Sequence, residues 1–178
     1  MPQQILDFWF AEIKPSQWWA KDADFDQFIA SRFGDVLQQA KQGELYRWRS
    51  DAQGRLAEII VLDQFSRNVY RDTAAAFAQD PMALALAQEA VAGGALSQLN
   101  PDERSFLLLP YMHSESATIH LLAEQLYKEQ APETNYQFEL KHKAIIDRFG
   151  RYPHRNAILG RQSTAEELEF LKQPGSGF

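Results

Sequence analysis

Five polar side chains crowd into LDQFSRNVYR, from Leu62 to Arg71: Asp63, Gln64, Arg67, Asn68 and Arg71. On a continuous helix Asp63 and Arg67 are four apart and share a face, as do Gln64, Asn68 and Arg71. Ile59, Ile60 and Leu62 imply that part of that face is buried. A buried ion without a partner is expensive, so these groups need company. Two chemistries meet that need. One is a structural ion-pair network tying this helix to its neighbours. The other is a carboxylate–guanidinium pocket in which Asp63 orients an arginine or acts as a base.

A second cluster is RFGRYPHRNAILGR, from Arg148 to Arg161. Between His142 and Arg161 the basic residues are Lys143, Arg148, Arg151, Arg155 and Arg161, against Asp147 alone, a local balance of +4 in a chain of net charge −6. Arginines placed so densely in an acidic chain either grip anions or neutralise buried carboxylates. Arg148 and Arg151 sit at a helix end, where the macrodipole favours positive charge. Arg155 and Arg161 lie beyond Gly150 and Pro153 and need partners; with His154 and Asn156 between them they make a plausible anion cradle. Asn156 serves equally well as the cap of a short turn. Asp63 and Glu115 are the best internal partners, and a bound anion is the external one.

The third cluster is PYMHSES, Pro110 to Ser116. Ser114 reads as an N-cap, with His113 just outside the helix and Glu115 in its first turn. His113 can serve as general acid or base, or simply hydrogen-bond the backbone. His113 and His120 are seven apart, but no carboxylate stands near them at ligand spacing, so a metal is not expected. No GxSxG elbow surrounds Ser66 or Ser114, and there is no glycine-rich phosphate loop.

The elements that must carry these groups read as helices throughout. Ile5, Leu6, Trp9, Phe10 and Ile13 give a first helix over about residues 2–13. Asp24 can cap a second, in which Phe25, Phe28, Ile29, Val36 and Leu37 keep the 3.6-residue period up to Gly43. A third runs over about 55–65. Asp80-Pro81 reads as an N-cap with proline at the first helical position, and Gly93-Gly94 ends that helix. Asn100 to Glu103 and Thr164 to Glu167 read as capping boxes. The apolar run Phe106–Leu109 leads into Pro110. Further helices span about 114–130 and 133–149, the latter stopped by Gly150, and residues 173–178 form a tail. No hairpin turn or strand pair stands out. The expected class is all-α, about eight helices packed as antiparallel hairpins in a single domain over residues 1–178.

Composition narrows the function classes. With no cysteine, disulfides, thiolate nucleophiles and cysteine-ligated metals are excluded. A pI near 5.2 disfavours nucleic-acid binding. No secretory leader and no long apolar run are seen, so a cytoplasmic location without membrane association is expected. Trp9, Trp18, Trp19 and Trp48 all fall in the first third and read as core anchors, with a ligand-stacking surface as the alternative.

Taken together, ILDFWF at Ile5–Phe10, the Trp18-Trp19 to Phe25 stretch, Leu62–Arg71, Leu109–Glu115 and Arg148–Arg161 resemble the bacterial family catalogued as domain of unknown function nine-two-four. The similarity runs from Ile5 to about Leu171. LDQFSRN and RFGRYPHRN-x-x-LGR, followed by Ser-Thr-x-Glu-Glu, are its most specific pieces. Ser66 stands where the family usually has proline, which relaxes a turn or kink there. The resemblance implies a tetratricopeptide-like helical stack and no particular activity.

From the residues, the expected function is binding or turnover of a small anionic metabolite. Asp63, His113 and Glu115 are the candidate catalytic groups. Arg67, Asn68, Arg71, Arg151, His154, Arg155, Asn156 and Arg161 are the candidate ligand-binding groups, with no cofactor. The alternative is a helical module that binds an acidic peptide or protein partner in a groove.

Overall fold

A computed structural model describes residues 1–177; Phe178, the last residue of the expected tail, lies outside the described residues. The chain is all-helical. Its α-helices are α1 (Pro2–Asp7), α2 (Ala23–Lys41), α3 (Ala52–Ile60), α4 (Ser66–Val69), α5 (Asp80–Ala92), α6 (Pro101–Met112), α7 (Ala117–Gln130), α8 (Glu133–Phe149) and α9 (Ala165–Phe170). A π-turn over Val61–Phe65 joins α3 to α4 in one continuous rod, and another over Phe8–Glu12 extends α1. No helix among the described residues is long and apolar enough to cross a membrane.

Local sequence explains most boundaries. Asp22, rather than Asp24, caps α2: its Oδ1 accepts from the backbone N–H of Asp24 at 2.9 Å and of Phe25 at 3.1 Å. From there Phe25, Ile29, Phe33 and Leu37 recur every four residues and are all buried. The Asn100–Glu103 capping box forms as expected, with reciprocal bonds of 3.0 and 2.8 Å. Pro110 does not end α6. The helix runs through it to Met112, with Pro110 donating no bond to the turn before. α7 starts at Ala117 after Ser116, later than Ser114; the Ser114 hydroxyl instead accepts from the Ser116 N–H at 3.2 Å. Gly150 ends α8 in the left-handed region at φ 67°. Gly54 is required for another reason: a Cβ there would stand 1.8 Å from the Trp48 carbonyl oxygen.

The principal core gathers around α3 and its π-turn, where Leu56, Ile59, Ile60, Leu62 and Phe65 are fully buried. Phe65 meets Phe33 at 5.1 Å between centroids, and Trp9 meets Phe106 edge-on at 5.7 Å. Each such side chain contributes roughly 1.5–3 kcal/mol by leaving water. α7 and α8 are joined by two residues and packed along each other, which forces an antiparallel hairpin, and α6 packs on α7. A smaller cluster of Ile145, Ile146 and Tyr152, backed by Phe149 and Phe170, seats the segment after α8. The tail is not loose through Gly177: Ser176 is buried, and its hydroxyl donates to the Leu171 carbonyl at 3.1 Å.

Candidate functional site

A pocket of about 750 Å³ opens where α4, the α4–α5 connection, the end of α6, the start of α8 and the Tyr152–Ile158 segment meet. Its wall includes Arg67, Asn68, Arg71, His113, His154 and Arg155, six of the groups expected from the sequence. Asp63 lies directly behind the wall, 1% exposed. The π-turn that carries it is buried at every position, so Asp63 and Gln64 sit among core side chains and must find partners there.

Those partners close into a ring. Asp63 Oδ1 lies 2.7 Å from His113 Nδ1 and 3.1 Å from Arg67 Nη1, while Gln64 donates to Asp63 Oδ2 at 2.5 Å. Arg67 also grips Asp80 with both terminal nitrogens, at 2.8 and 2.9 Å. Arg155 donates to Asp80 Oδ2, the oxygen that Arg67 Nη2 also reaches, at 3.2 Å and to the His113 backbone carbonyl at 3.0 Å. The Arg155 guanidinium is held between the rings of Phe77 and Tyr152, 4.6 and 4.8 Å from their centroids. Asp80 is therefore not a helix cap. It is the first residue of α5, and its carboxylate bridges two guanidinium groups.

The electrostatics follow from this packing. Burial works against an ionised Asp63, but Arg67 and His113 outweigh it and hold the carboxyl well below its usual range. Burial and the neighbouring Arg67 push the His113 imidazole down, and Asp63 restores only part of the shift. Against an ionised Asp63 the neutral ring keeps its proton on Nδ1, a tautomer assigned from the hydrogen-bond network. Nε2 then carries a lone pair and has no partner among the described residues. His142 and His154, also on the wall, are held neutral by burial, down to about 3 and about 4.

The other expected groups are spent on pairs within the fold. Glu115 accepts both forks of Arg161, at 2.6 and 2.8 Å, and the Tyr152 N–H at 2.7 Å, so it is not on the pocket wall. Arg151 pairs with Glu167 at 2.7 and 2.8 Å, and Asn156, fully buried, donates to Ser163 at 3.0 Å while accepting from Arg161 at 2.9 Å. Asn156 also caps the short Pro153–Arg155 turn, as expected, its backbone N–H donating to the Pro153 carbonyl at 3.0 Å, so it is turn cap and junction at once. These bonds fix the loop that presents His154 and Arg155. Arg71 reaches the wall, but its fork is taken by Asp26, which also accepts from Asn68 at 2.8 Å.

Sequence reasoning missed Asp80, Lys21 and most of the aromatic wall. Trp18 and Trp19 are not core anchors of the kind Trp9 is: both line the pocket, and Trp19 is 60% exposed. Trp18 is fastened by its indole N–H to the Trp9 carbonyl at 2.8 Å. Each of the two expected histidines does meet a carboxylate, drawn from far along the chain. His120 Nδ1 lies 2.7 Å from Glu139 Oε1, as close as His113 lies to Asp63.

A family model described as a bacterial protein of unknown function (DUF924) matches residues 5–175. The chain belongs to this family. A solved structure of a protein of unknown function from Agrobacterium tumefaciens is 37% identical and superposes with a TM-score of 0.91, with 96% of each chain covered. Among functionally curated proteins there is no match. LDQFSRN and RFGRYPHRN thus meet in one place, where Asp63 and Arg67 of the first and Arg155 of the second join His113 and Asp80 in one ring. Ser66 is fully buried, and its hydroxyl has no partner among the described residues.

Proposed function

We propose that the protein binds or turns over a small organic anion in this pocket, with His113 as proton acceptor and Asp63 as the group that orients it. The observation that carries this reading is the His113 imidazole. Its Nδ1 is committed to a buried carboxylate 2.7 Å away, while its ring lines a cavity large enough for a metabolite. Nε2 of the neutral ring can take a proton from a substrate O–H, or from a water that attacks the substrate. The imidazolium so formed is stabilised by Asp63, as a positioned carboxylate stabilises a catalytic histidine elsewhere. Arg67 and Arg155 stand beside it to offset negative charge. Glu115, Arg151, Asn156 and Arg161 act one step back, by holding the Arg155 loop.

An acidic peptide in a tetratricopeptide-like groove draws less support, because Arg151 and Arg161 are already paired with Glu167 and Glu115. The test is a thermal-shift screen of small carboxylates and phosphate esters, followed by analysis of each stabilising compound for consumption. At least one compound is expected to raise the melting temperature of the wild type. Arg155→Met should weaken that compound by about tenfold or more, since the guanidinium that holds Asp80 and the His113 carbonyl in the wall is lost. Arg161→Met, which removes only a support of the Arg155 loop, should weaken it far less in the folded fraction. If no compound shifts the wild type, or if both variants weaken it equally, the pocket reading is lost.

A further inference from the structure

The wall's charge narrows the ligand further. Lys21, Arg67, Arg71 and Arg155 line the pocket, yet Asp63 and Asp80 pair with Arg67 and Arg155, and Asp26 pairs with Arg71. Asp72 also lies on the wall, so four cations face four carboxylates. Such a wall does not attract a polyanion. Lys21 is the wall cation that has no paired carboxylate among the described residues, and it is exposed at the rim. A single ionic contact is available there. A phosphate monoester, near two charges at neutral pH, is poorly matched, whereas one carboxylate fits.

The apolar part of the wall has an equally definite character. Two residues from Lys21, Trp19 lies on Phe106 with the rings 7° from parallel and their centroids 5.7 Å apart, and it still leaves 60% of its surface in solvent. Phe138, in the second turn of α8, lines the same pocket and is 51% exposed. Large aromatic side chains this open gain little for folding, and folding gives no reason to place both on one cavity. Trp18, Phe77 and Tyr152 add three further aromatic side chains to the wall, beside the aliphatic Leu109, Met112 and Ile158. Flat rings recognise other flat rings by offset stacking and edge contacts, in preference to branched aliphatic bodies.

We propose that the ligand is a planar aromatic compound bearing a single carboxylate, its ring held by Trp19 and Phe138 and its charge by Lys21. This rests on the small-anion reading above and names the class within it. Its inner end is then directed at His113, which accepts from a hydroxyl or amine on the ring or from a water beside it.

Titration calorimetry, with tryptophan fluorescence as a second readout, tests this on the full chain with four probes: 2-naphthoate, cyclohexanecarboxylate, 2-naphthyl phosphate and 2-naphthalenemethanol. Naphthoate should bind about five- to tenfold more tightly than any of the other three, the range that one aromatic contact or one exposed charge contact supplies. Trp19→Ala should remove the preference over cyclohexanecarboxylate, and Lys21→Gln the preference over the neutral alcohol. Both side chains are exposed, so neither variant threatens the fold. Equal binding of the aromatic and aliphatic acids, or tighter binding of the phosphate, would overturn this inference and leave the small-anion pocket standing. Failure of every anionic probe, in a protein that also answers to nothing in the broader screen, overturns both.

Discussion

Two histidines in this molecule each sit 2.7 Å from a carboxylate, and only the surroundings tell them apart. His120 and Glu139, on α7 and α8, are both wholly buried. His120 Nε2 is 2.8 Å from the Ser114 carbonyl and 3.2 Å from the Tyr152 hydroxyl, so both ring nitrogens are engaged. His113 and Asp63 share the same pairing, but His113 Nε2 is left over at a cavity. The lesson is that a carboxylate–histidine pair is not in itself a catalytic signal. What matters is whether the second nitrogen has been spent on the fold. In the sealed pair it has, and the hairpin of α7 and α8 gains a polar bolt. In the open pair it has not, and the nitrogen is available to a ligand.

The sharpest way to break that comparison is to delete each imidazole. His120→Ala leaves Glu139 wholly buried, with Oε1 unpaired beside Oε2, which already lacks a partner among the described residues. Burial already pushes the Glu139 carboxyl up, and losing His120 removes the group that opposes this. Stripping one partner from a buried pair costs about 3–5 kcal/mol. His113→Ala should cost about 1 kcal/mol, because Asp63 keeps Arg67 and Gln64. Urea unfolding of the two variants decides it. Equal losses would mean that the open pair is structural as well.

Arg161→Ala should have the next largest effect. It leaves Glu115 without its fork and releases Asn156, so a loss of about 2 kcal/mol is expected, smaller than for the sealed histidine because both ends of this ion pair touch solvent. Chemical denaturation measures the loss. Ligand affinity of the folded fraction should fall far less than in the Arg155 variant, which separates this supporting arginine from Arg155.

The helices were largely legible because their cause is local. The α2 and α3 periodicities, both capping boxes and the Gly150 stop depend on neighbours within a few residues. The site was legible only in its parts. The residue types in LDQFSRN and RFGRYPHRN pointed to a polar cluster, and Glu115 was rightly named as a partner for the late arginines. But His113 and Asp63 are 50 residues apart, and Arg155 and Asp80 are 75 apart; no spacing rule pairs groups across such distances. Asp80 was hidden by a competing explanation, since an aspartate before proline looks like a cap. Glu167 shows that such roles are not exclusive: it takes the Thr164 N–H at 2.7 Å in its capping box and binds Arg151 as well. Lys21 left no local trace, and Trp19 only the alternative of a stacking surface, because exposure at a pocket mouth is set by the tertiary fold.

Acid sharpens the comparison from the other side, with the smallest effect. The open pair shares its pocket with His142 and His154, which burial holds at about 3 and about 4, against an ordinary value of 6.5. The unfolded chain takes up protons that the folded pocket refuses, so stability is complete above about pH 6.5 and falls as pH drops toward 4. Between pH 7 and 6 the two together should cost on the order of 1 kcal/mol. His142→Gln with His154→Gln should flatten that slope, read from unfolding free energies at several pH values. Since a bound carboxylate favours protonated imidazole nearby, ligand should also reduce the slope in the wild type and leave the double variant unchanged. A slope that survives the double substitution would assign the titration to other groups, first among them His113, whose imidazole burial and Arg67 also hold down.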